Sequence, residues 1–119
     1  MLFRSAELGM DLISSLERLL GTARDGALLR YSLGAEYLKR SDSPRAIDYL
    51  REALTMDQRH TAAWKLLGRA LAQAGQYAEA LEVFRQGIEC ARGNGDLQAE
   101  KEMRLFSRRL HKQMNPLDG

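Results

Sequence analysis

Residues 64–71 read WKLLGRAL, and residues 80–84 read ALEVF. The same spacing occurs 34 residues earlier, as RYSLGAEY at residues 30–37 and AIDYL at residues 46–50. A period of this length is typical of a solenoid in which each repeat is a pair of antiparallel helices. Because one such pair cannot bury its apolar face alone, the sequence predicts an all-α stack of helical hairpins.

Each copy places a glycine in the middle of its first helix, Gly34 in one and Gly68 in the other. Glycine inside a helix costs about 1 kcal/mol relative to alanine, so its presence indicates that a neighbouring helix approaches closely. We expect Ala46 and Ala80 to face these glycines across each hairpin. Large side chains then fill the space around the contact. They are Leu33, Tyr37, Leu50, Trp64, Leu67 and Phe84.

Both copies resemble the tetratricopeptide repeat, whose pattern is W-x-x-L-G-x-x-Y, then A-x-x-x-F, then P. The second copy supplies the pattern's Trp64 and Phe84, whereas the first supplies its Tyr37. Neither copy ends with the proline, because Gln58 and Arg92 stand there. The resemblance implies an α-solenoid with an open groove and a role in binding other proteins.

The segments on either side of the two copies are predicted to close the stack. Ile13 and Leu20 extend the 34-residue register backwards, so one long helix is expected from about Leu2 to Leu20. After the second copy the register fails, but apolar residues still recur every three or four positions. We therefore predict one domain of about six helices, divided into an N-terminal cap helix (residues 1–24), repeat one (27–60), repeat two (61–94) and a C-terminal cap helix (96–114).

Short polar breaks separate the predicted helices. Ser43 before Pro44 reads as an N-cap followed by the first helical residue. His60 is expected to help cap the helix that follows it, and Asp96 to cap the last helix. The run Gly93-Asn94-Gly95 is predicted to stop the preceding helix.

Length and composition fit a single domain, with 119 residues of which 45% are hydrophobic. The net charge of +2, from 18 basic and 16 acidic residues, is too small to steer the whole protein to nucleic acid or a membrane. Glu7 and Asp11 interrupt the apolar run that a secretory signal needs. No uncharged stretch is long enough to span a membrane. We therefore expect a cytoplasmic protein.

The sequence predicts no enzyme, cofactor or metal site. Its one cysteine, Cys90, allows no internal disulfide framework and is expected to be a small buried filler. His60 and His111 have no metal-ligand spacing to another candidate residue. Motifs for nucleotide phosphates, zinc hydrolysis or a serine nucleophile are absent.

The binding surface is predicted on the first helix of each repeat, rotated away from the packed face at 3.6 residues per turn. Lys65 and Arg69 stand four residues apart and could converge on one carboxylate, or they could form an ordinary solvated face paired with nearby acids. Tyr31 and Ala35 replace the lysine and asparagine that some family members use to hold a C-terminal carboxylate, so the resemblance implies a mixed groove for an extended or helical peptide. The predicted groove residues are Tyr31, Ala35, Leu38, Lys39, Lys65, Arg69, Ala72 and Gln73.

Self-association is an alternative, because two repeats are fewer than solenoids normally need. A second copy of the chain would pack on the apolar N-terminal helix, which carries Phe3 and Met10, or fill the groove.

Nucleic-acid binding is a weaker alternative, since basic residues at the C-terminal end of a helix also favour its dipole. The cluster lacks the interleaved exposed aromatic residues that stack on bases. It comprises Lys101, Arg104, Arg108, Arg109 and Lys112.

Overall fold

The computed structural model describes residues 12–117, and all regular secondary structure in that range is helical. This confirms the predicted all-α solenoid of about six helices. The described part of α1 covers residues 12–17. It is followed by α2 (Ala27–Lys39), α3 (Ser43–Met56), α4 (Thr61–Gln73), α5 (Tyr77–Asn94) and α6 (Leu97–Met114).

Helix α1 ends three residues before the predicted Leu20. The backbone N–H groups of Leu19 and Leu20 donate to the carbonyl groups of Leu16 and Glu17, three residues back, so the chain tightens into turns. Gly21 follows with a φ of +76°. The apolar pattern extends past the end of α1 because Leu19 and Leu20 lie in the turn and still pack on the core.

The N-cap of α3 is Asp42, and the prediction of Ser43 was wrong. The Asp42 carboxylate accepts a hydrogen bond from the Arg45 backbone N–H at 3.2 Å, whereas Ser43 is already the first helical residue. Pro44 therefore occupies the second helical position. A backbone N–H there would have no acceptor within the helix, so the proline costs no helical hydrogen bond.

The other predicted helix boundaries are confirmed. His60 Nδ1 accepts from the Ala63 N–H at 3.2 Å at the start of α4. Asp96 accepts from the Ala99 N–H at 3.0 Å at the start of α6. Helix α5 stops at Gly95, whose φ of +71° lies in the left-handed region that glycine adopts without strain.

Helices α2, α4 and α6 form one layer, because α4 closely approaches both α2 and α6. Helix α3 packs between α2 and α4, and α5 packs between α4 and α6. Within the described residues the backbones of α3 and α5 do not approach each other, and an ion pair between Arg51 and Glu79 spans the gap. The stack therefore curves toward α2, α4 and α6, which we call the inner layer.

The two predicted glycines do allow close helix packing. Both are buried, and a methyl group on Gly34 would lie 2.6 Å from Leu50 Cγ. A methyl group on Gly68 would lie 2.7 Å from Phe84 Cδ1. Each glycine thus makes room for a large side chain of the second helix in its own hairpin.

The expectation that Ala46 and Ala80 face the glycines is confirmed in part, because Ala46 lies beside Gly34 with its backbone carbonyl rather than its methyl group. Both alanines are fully buried, but the atoms nearest to Gly34 are side-chain atoms of Leu50, and those nearest to Gly68 belong to Phe84. Ala46 contributes its carbonyl oxygen, 3.3 Å from the position of a methyl group on Gly34. Periodicity identifies the facing side of a helix but not the crossing point along it.

A third close contact, not predicted from the sequence, joins α5 to α6. A methyl group on Gly87 would lie 2.6 Å from the sulfur of Met103 and 2.8 Å from Cβ of Trp64. Met103 is fully buried. Gly87 therefore seats α6 against the second hairpin.

The core draws one large, fully buried side chain from each of the helices α2 to α6. Burying each of these side chains contributes about 1.5–3 kcal/mol. They are Leu33, Leu50, Leu71, Phe84 and Met103, in that order of helices.

A polar contact anchors α1 to the first hairpin. One carboxylate oxygen of Glu17 accepts from the hydroxyl of Tyr37 at 3.1 Å and from that of Tyr49 at 2.9 Å. The two rings stack with centroids 5.7 Å apart. Burial, followed by the hydrogen bond to the Glu17 carboxylate, raises the pKa of Tyr49 to about 12. Both phenols therefore stay protonated and donate to Glu17 at neutral pH.

Candidate functional site

An open cavity of about 610 Å³ lies between α2 and α4 of the inner layer. Its wall combines an aromatic ring, aliphatic side chains, an amide, a hydroxyl and two cations. Such a mixed lining can contact both apolar and polar groups of a ligand. The residues of this inner cavity are Tyr31, Ala35, Leu38, Lys39, Ser41, Leu66, Arg69 and Gln73.

Six of the eight predicted groove residues line the inner cavity; the exceptions are Lys65 and Ala72. Helical periodicity placed the six together because they share one side of α2 and of α4. Their role in binding stays a prediction.

Two residues of the cavity were not among the predicted ones. Ser41 follows α2 with a φ of +61°, so rotation around a helix axis does not reach it. Leu66 stands three residues before Arg69 on α4, and this spacing on one helix face was a usable signal.

Lys65 and Arg69 make different direct contacts, although both act electrostatically on the Glu102 carboxyl. Lys65 donates to Glu102 of α6 at 2.7 Å, and this hydrogen bond lowers the pKa of the Glu102 carboxyl below its ordinary value. The guanidinium of Arg69 instead lies 5.5 Å from the centroid of the Phe106 ring. Lys65 therefore follows the alternative of pairing with a nearby acid, while Arg69 borders the cavity.

A second, smaller hollow of about 190 Å³ lies between α4 and α6, and we call it the end hollow. Arg69 borders both it and the inner cavity, so the two depressions adjoin. Ala72, the other predicted residue outside the inner cavity, lines the end hollow. Its residues are Arg69, Ala72, Phe84, Phe106, Arg109 and Leu110.

Tyr31 is held in place at the start of the inner cavity. Its ring lies against that of His60, with centroids 4.8 Å apart. Because His60 also caps α4, this contact ties the aromatic wall of the cavity to the first turn of the opposite helix.

The cysteine and the possible metal ligands show no arrangement for catalysis or metal binding among the described residues. Cys90 is half-buried, less than predicted, and its sulfur lies 3.4 Å from the Thr61 hydroxyl and 3.6 Å from the Asn94 amide. Among residues 12–117, no group of three histidine, cysteine or acidic side chains is arranged to hold a metal ion.

The basic residues considered for nucleic acid lie exposed along α6, and Arg104 pairs with Glu100 at 2.9 Å. Phe3 and Met10, considered for self-association, lie outside the described residues. Within the described part, no helix combines the length and apolar character needed to cross a membrane.

Comparisons with known proteins agree with this architecture. The family model for the tetratricopeptide repeat matches residues 31–95. The chain is 43% identical over 99 residues to the TPR repeat-containing protein PA0015 of Pseudomonas aeruginosa, which covers 83% of this chain and 94% of that protein.

Two solved structures are similar across most of the chain. The solution structure of protein BPP2914 from Bordetella parapertussis has a TM-score of 0.77 and 35% identity, covering 86% of this chain and 89% of that one. The crystal structure of the Sgt2 TPR domain from Aspergillus fumigatus has a TM-score of 0.79 at 23% identity, covering 94% of this chain and 74% of that one, a likeness in fold alone.

The matched residues include most of α2 and all of α3, α4 and α5, which together form the two hairpins predicted from the repeat. Tetratricopeptide repeats generally mediate protein–protein interactions and typically act as scaffolds without catalysis. The chain belongs to the tetratricopeptide repeat family.

Proposed function

We propose that this protein is a cytoplasmic adaptor that docks a segment of a partner protein in the inner cavity and performs no chemistry of its own. The observation that carries the proposal is the cavity itself, about 610 Å³ of open space between α2 and α4. This volume lies in the range of pockets that enclose several ligand groups.

The lining of the cavity suits a polypeptide. Tyr31, Leu38 and Leu66 offer apolar surface for side chains, and they are all half-buried. The side chains of Ser41 and Gln73 are exposed and can hydrogen-bond to the backbone of an extended segment. Two cations, Lys39 and Arg69, favour a segment that carries acidic residues.

The test fills the cavity without disturbing the core. Ala35 is a small, half-buried residue of the cavity wall, so Ala35→Arg places a long side chain in the open space. We expect this variant to lose the partner proteins that the native chain captures from a cell extract, as measured by quantitative mass spectrometry.

Ala78→Arg is the matched control, because Ala78 is exposed on α5 in the other layer and the charge change is the same. It should retain the native set of partners, and both variants should show native helical circular dichroism. Capture of the same partners by Ala35→Arg would refute the docking site.

A further inference from the structure

The end hollow differs in chemistry from the inner cavity. Its floor is apolar and consists of Phe84, Phe106 and Leu110. The two rings lie with centroids 5.8 Å apart; Phe84 is only 1% exposed, whereas Phe106 is half-buried. The volume of about 190 Å³ admits one bulky side chain rather than several.

The rim of the end hollow carries two exposed arginines, Arg69 and Arg109. Glu102 attracts Arg69 electrostatically, but its two carboxylate oxygens accept hydrogen bonds from Lys65 at 2.7 Å and from Gln98 at 3.0 Å. Arg109 forms no hydrogen bond or ion pair with any residue from 12 to 117. The hollow is therefore bordered by Arg109, which no described residue pairs, and by Arg69, which forms no hydrogen bond or ion pair within 4 Å with a described carboxylate.

The contact of Arg69 with Phe106 leaves its hydrogen-bonding capacity free. The Arg69 guanidinium is attracted by the electron density of the Phe106 ring. Its N–H groups point outward in the plane of the guanidinium itself. Such a group is positioned to receive a carboxylate in a bidentate geometry.

We propose that the end hollow binds a bulky apolar side chain of the docked segment, such as leucine, methionine or phenylalanine, whose sequence neighbour is an aspartate or glutamate held by Arg69 and Arg109. The apolar side chain packs on the half-buried ring of Phe106, and the acidic side chain meets the rim. This inference rests on the proposed function, because a segment in the inner cavity passes Arg69 to reach the hollow.

The carboxylate belongs to a side chain within the segment and not to a chain terminus. The inner cavity and the end hollow adjoin at Arg69, so the acidic residue lies where the segment continues from one depression to the other. A terminal carboxylate would place the end of the segment at this junction and leave one depression empty.

The experiment selects binders from a displayed library of random segments, each a dozen residues long and fixed between glycine–serine linkers at both ends. No library member has a free carboxyl terminus next to the random segment. The native chain should enrich segments in which aspartate or glutamate stands beside leucine, methionine or phenylalanine. Arg109→Glu should lose this enrichment and select lysine or arginine beside the apolar residue instead.

Arg108→Glu is the matched control, because Arg108 is also exposed and unpaired among the described residues but does not line the hollow. It should select the same segments as the native chain. In the best native-selected segment, changing the acidic residue to its amide should weaken binding to the native chain by about tenfold or more. The same change should not weaken binding to Arg109→Glu, because it removes the repulsion between two carboxylates.

Two results separate this inference from the proposed function. If Arg109→Glu and the native chain select the same segments while Ala35→Arg binds none, the inner cavity is a docking site and the assignment of the end hollow is wrong. If Ala35→Arg binds the same segments as the native chain, the proposed function fails and this inference fails with it. Selection of no segment at all by the native chain also contradicts both.

Discussion

At the scale of single residues, the mid-helix glycines matter because the absence of a side chain leaves space for a neighbouring large residue. Gly68 leaves room for the ring of Phe84, and a methyl group there would lie 2.7 Å or less from three of its atoms. Phe84 is 1% exposed and packs against Phe106 as well, so its ring cannot swing away into solvent. The contact at Gly68 therefore supports both the core and the floor of the end hollow.

We predict that Gly68→Ala destabilises the protein. Overpacking a rigid site costs about 1–3 kcal/mol, whereas alanine in a helix gains about 1 kcal/mol over glycine, which leaves a net loss of up to about 2 kcal/mol. Gly93→Ala is the control, because Gly93 is helical and no atom lies within 4 Å of an added methyl group. This variant should gain about 0.5–1 kcal/mol. Urea unfolding measures both, and a stabilised Gly68→Ala variant would contradict the packing described.

The same residues show what could be predicted from the sequence. Gly34 and Gly68 were identified as close-contact positions because a residue with such a helix penalty needs a reason to be there. Which partner atom lies nearest to each glycine could not be predicted, since the crossing point of two helices depends on the three-dimensional angle between them. Ser41 was missed for a related reason: its position follows from a turn with positive φ, which no periodic pattern describes.

At the scale of helices, α6 occupies the inner layer next to α4, as the first helix of a further repeat would. The sequence shows no such repeat at the offset of 34 residues. The N-caps His60 and Asp96 are 36 residues apart, and each accepts a hydrogen bond from a buried alanine three residues later. Helix α5 has 18 residues where α3 has 14, and α6 begins 36 residues after the start of α4.

We predict a pH-dependent contribution from the pair of Lys65 and Glu102, which joins α4 to α6. The hydrogen bond from Lys65 lowers the pKa of Glu102 in the folded state below its ordinary value of 4.5. The stabilisation is therefore fully present above the unfolded pKa and is lost as the pH falls through the lower folded pKa. Glu102→Gln should be less stable than the native chain at pH 7, and the difference should shrink as the pH falls below about 4.5.

Urea midpoints measured at several pH values test this prediction. Asp48→Asn is the control, because Asp48 is an exposed carboxylate without an ion pair among the described residues. Its difference from the native chain should stay small throughout. A Glu102→Gln difference that is independent of pH would show that the ion pair does not stabilise the contact.

At the scale of the whole molecule, the chain is elongated. Its extents are 51 by 31 by 21 Å, and its radius of gyration of 15.5 Å exceeds the roughly 13–14 Å typical of a compact domain of this length. An elongated stack keeps the surface of its inner layer open instead of folding it inward. The repeat predicted this architecture well, because stacking of hairpins follows from the period alone.

The binding surface was predicted less completely than the stack. Periodicity placed six residues on the wall of the inner cavity, since they lie on helices whose orientation the repeat defines. Periodicity could not predict the ion pair between Lys65 and Glu102. The two residues are 37 positions apart and meet only because of the register shift of α6. The end hollow was missed for the same reason, since Phe106 and Arg109 reach it from that helix.

Because Met103 packs against Gly87, the oxidation rate of its thioether reports how often α6 separates from the second hairpin. Peroxide can reach this fully buried sulfur only when α6 lifts from the hairpin, whereas Met114 on the same helix is 40% exposed. We expect Met114 to form sulfoxide rapidly and Met103 slowly, at a rate that rises in dilute urea, as followed by mass spectrometry of the peptides. Because the added oxygen has no room beside Gly87, α6 should stay partly detached from the hairpin once Met103 is oxidised. Equal oxidation rates at Met103 and Met114 would show that α6 does not pack stably on the hairpin.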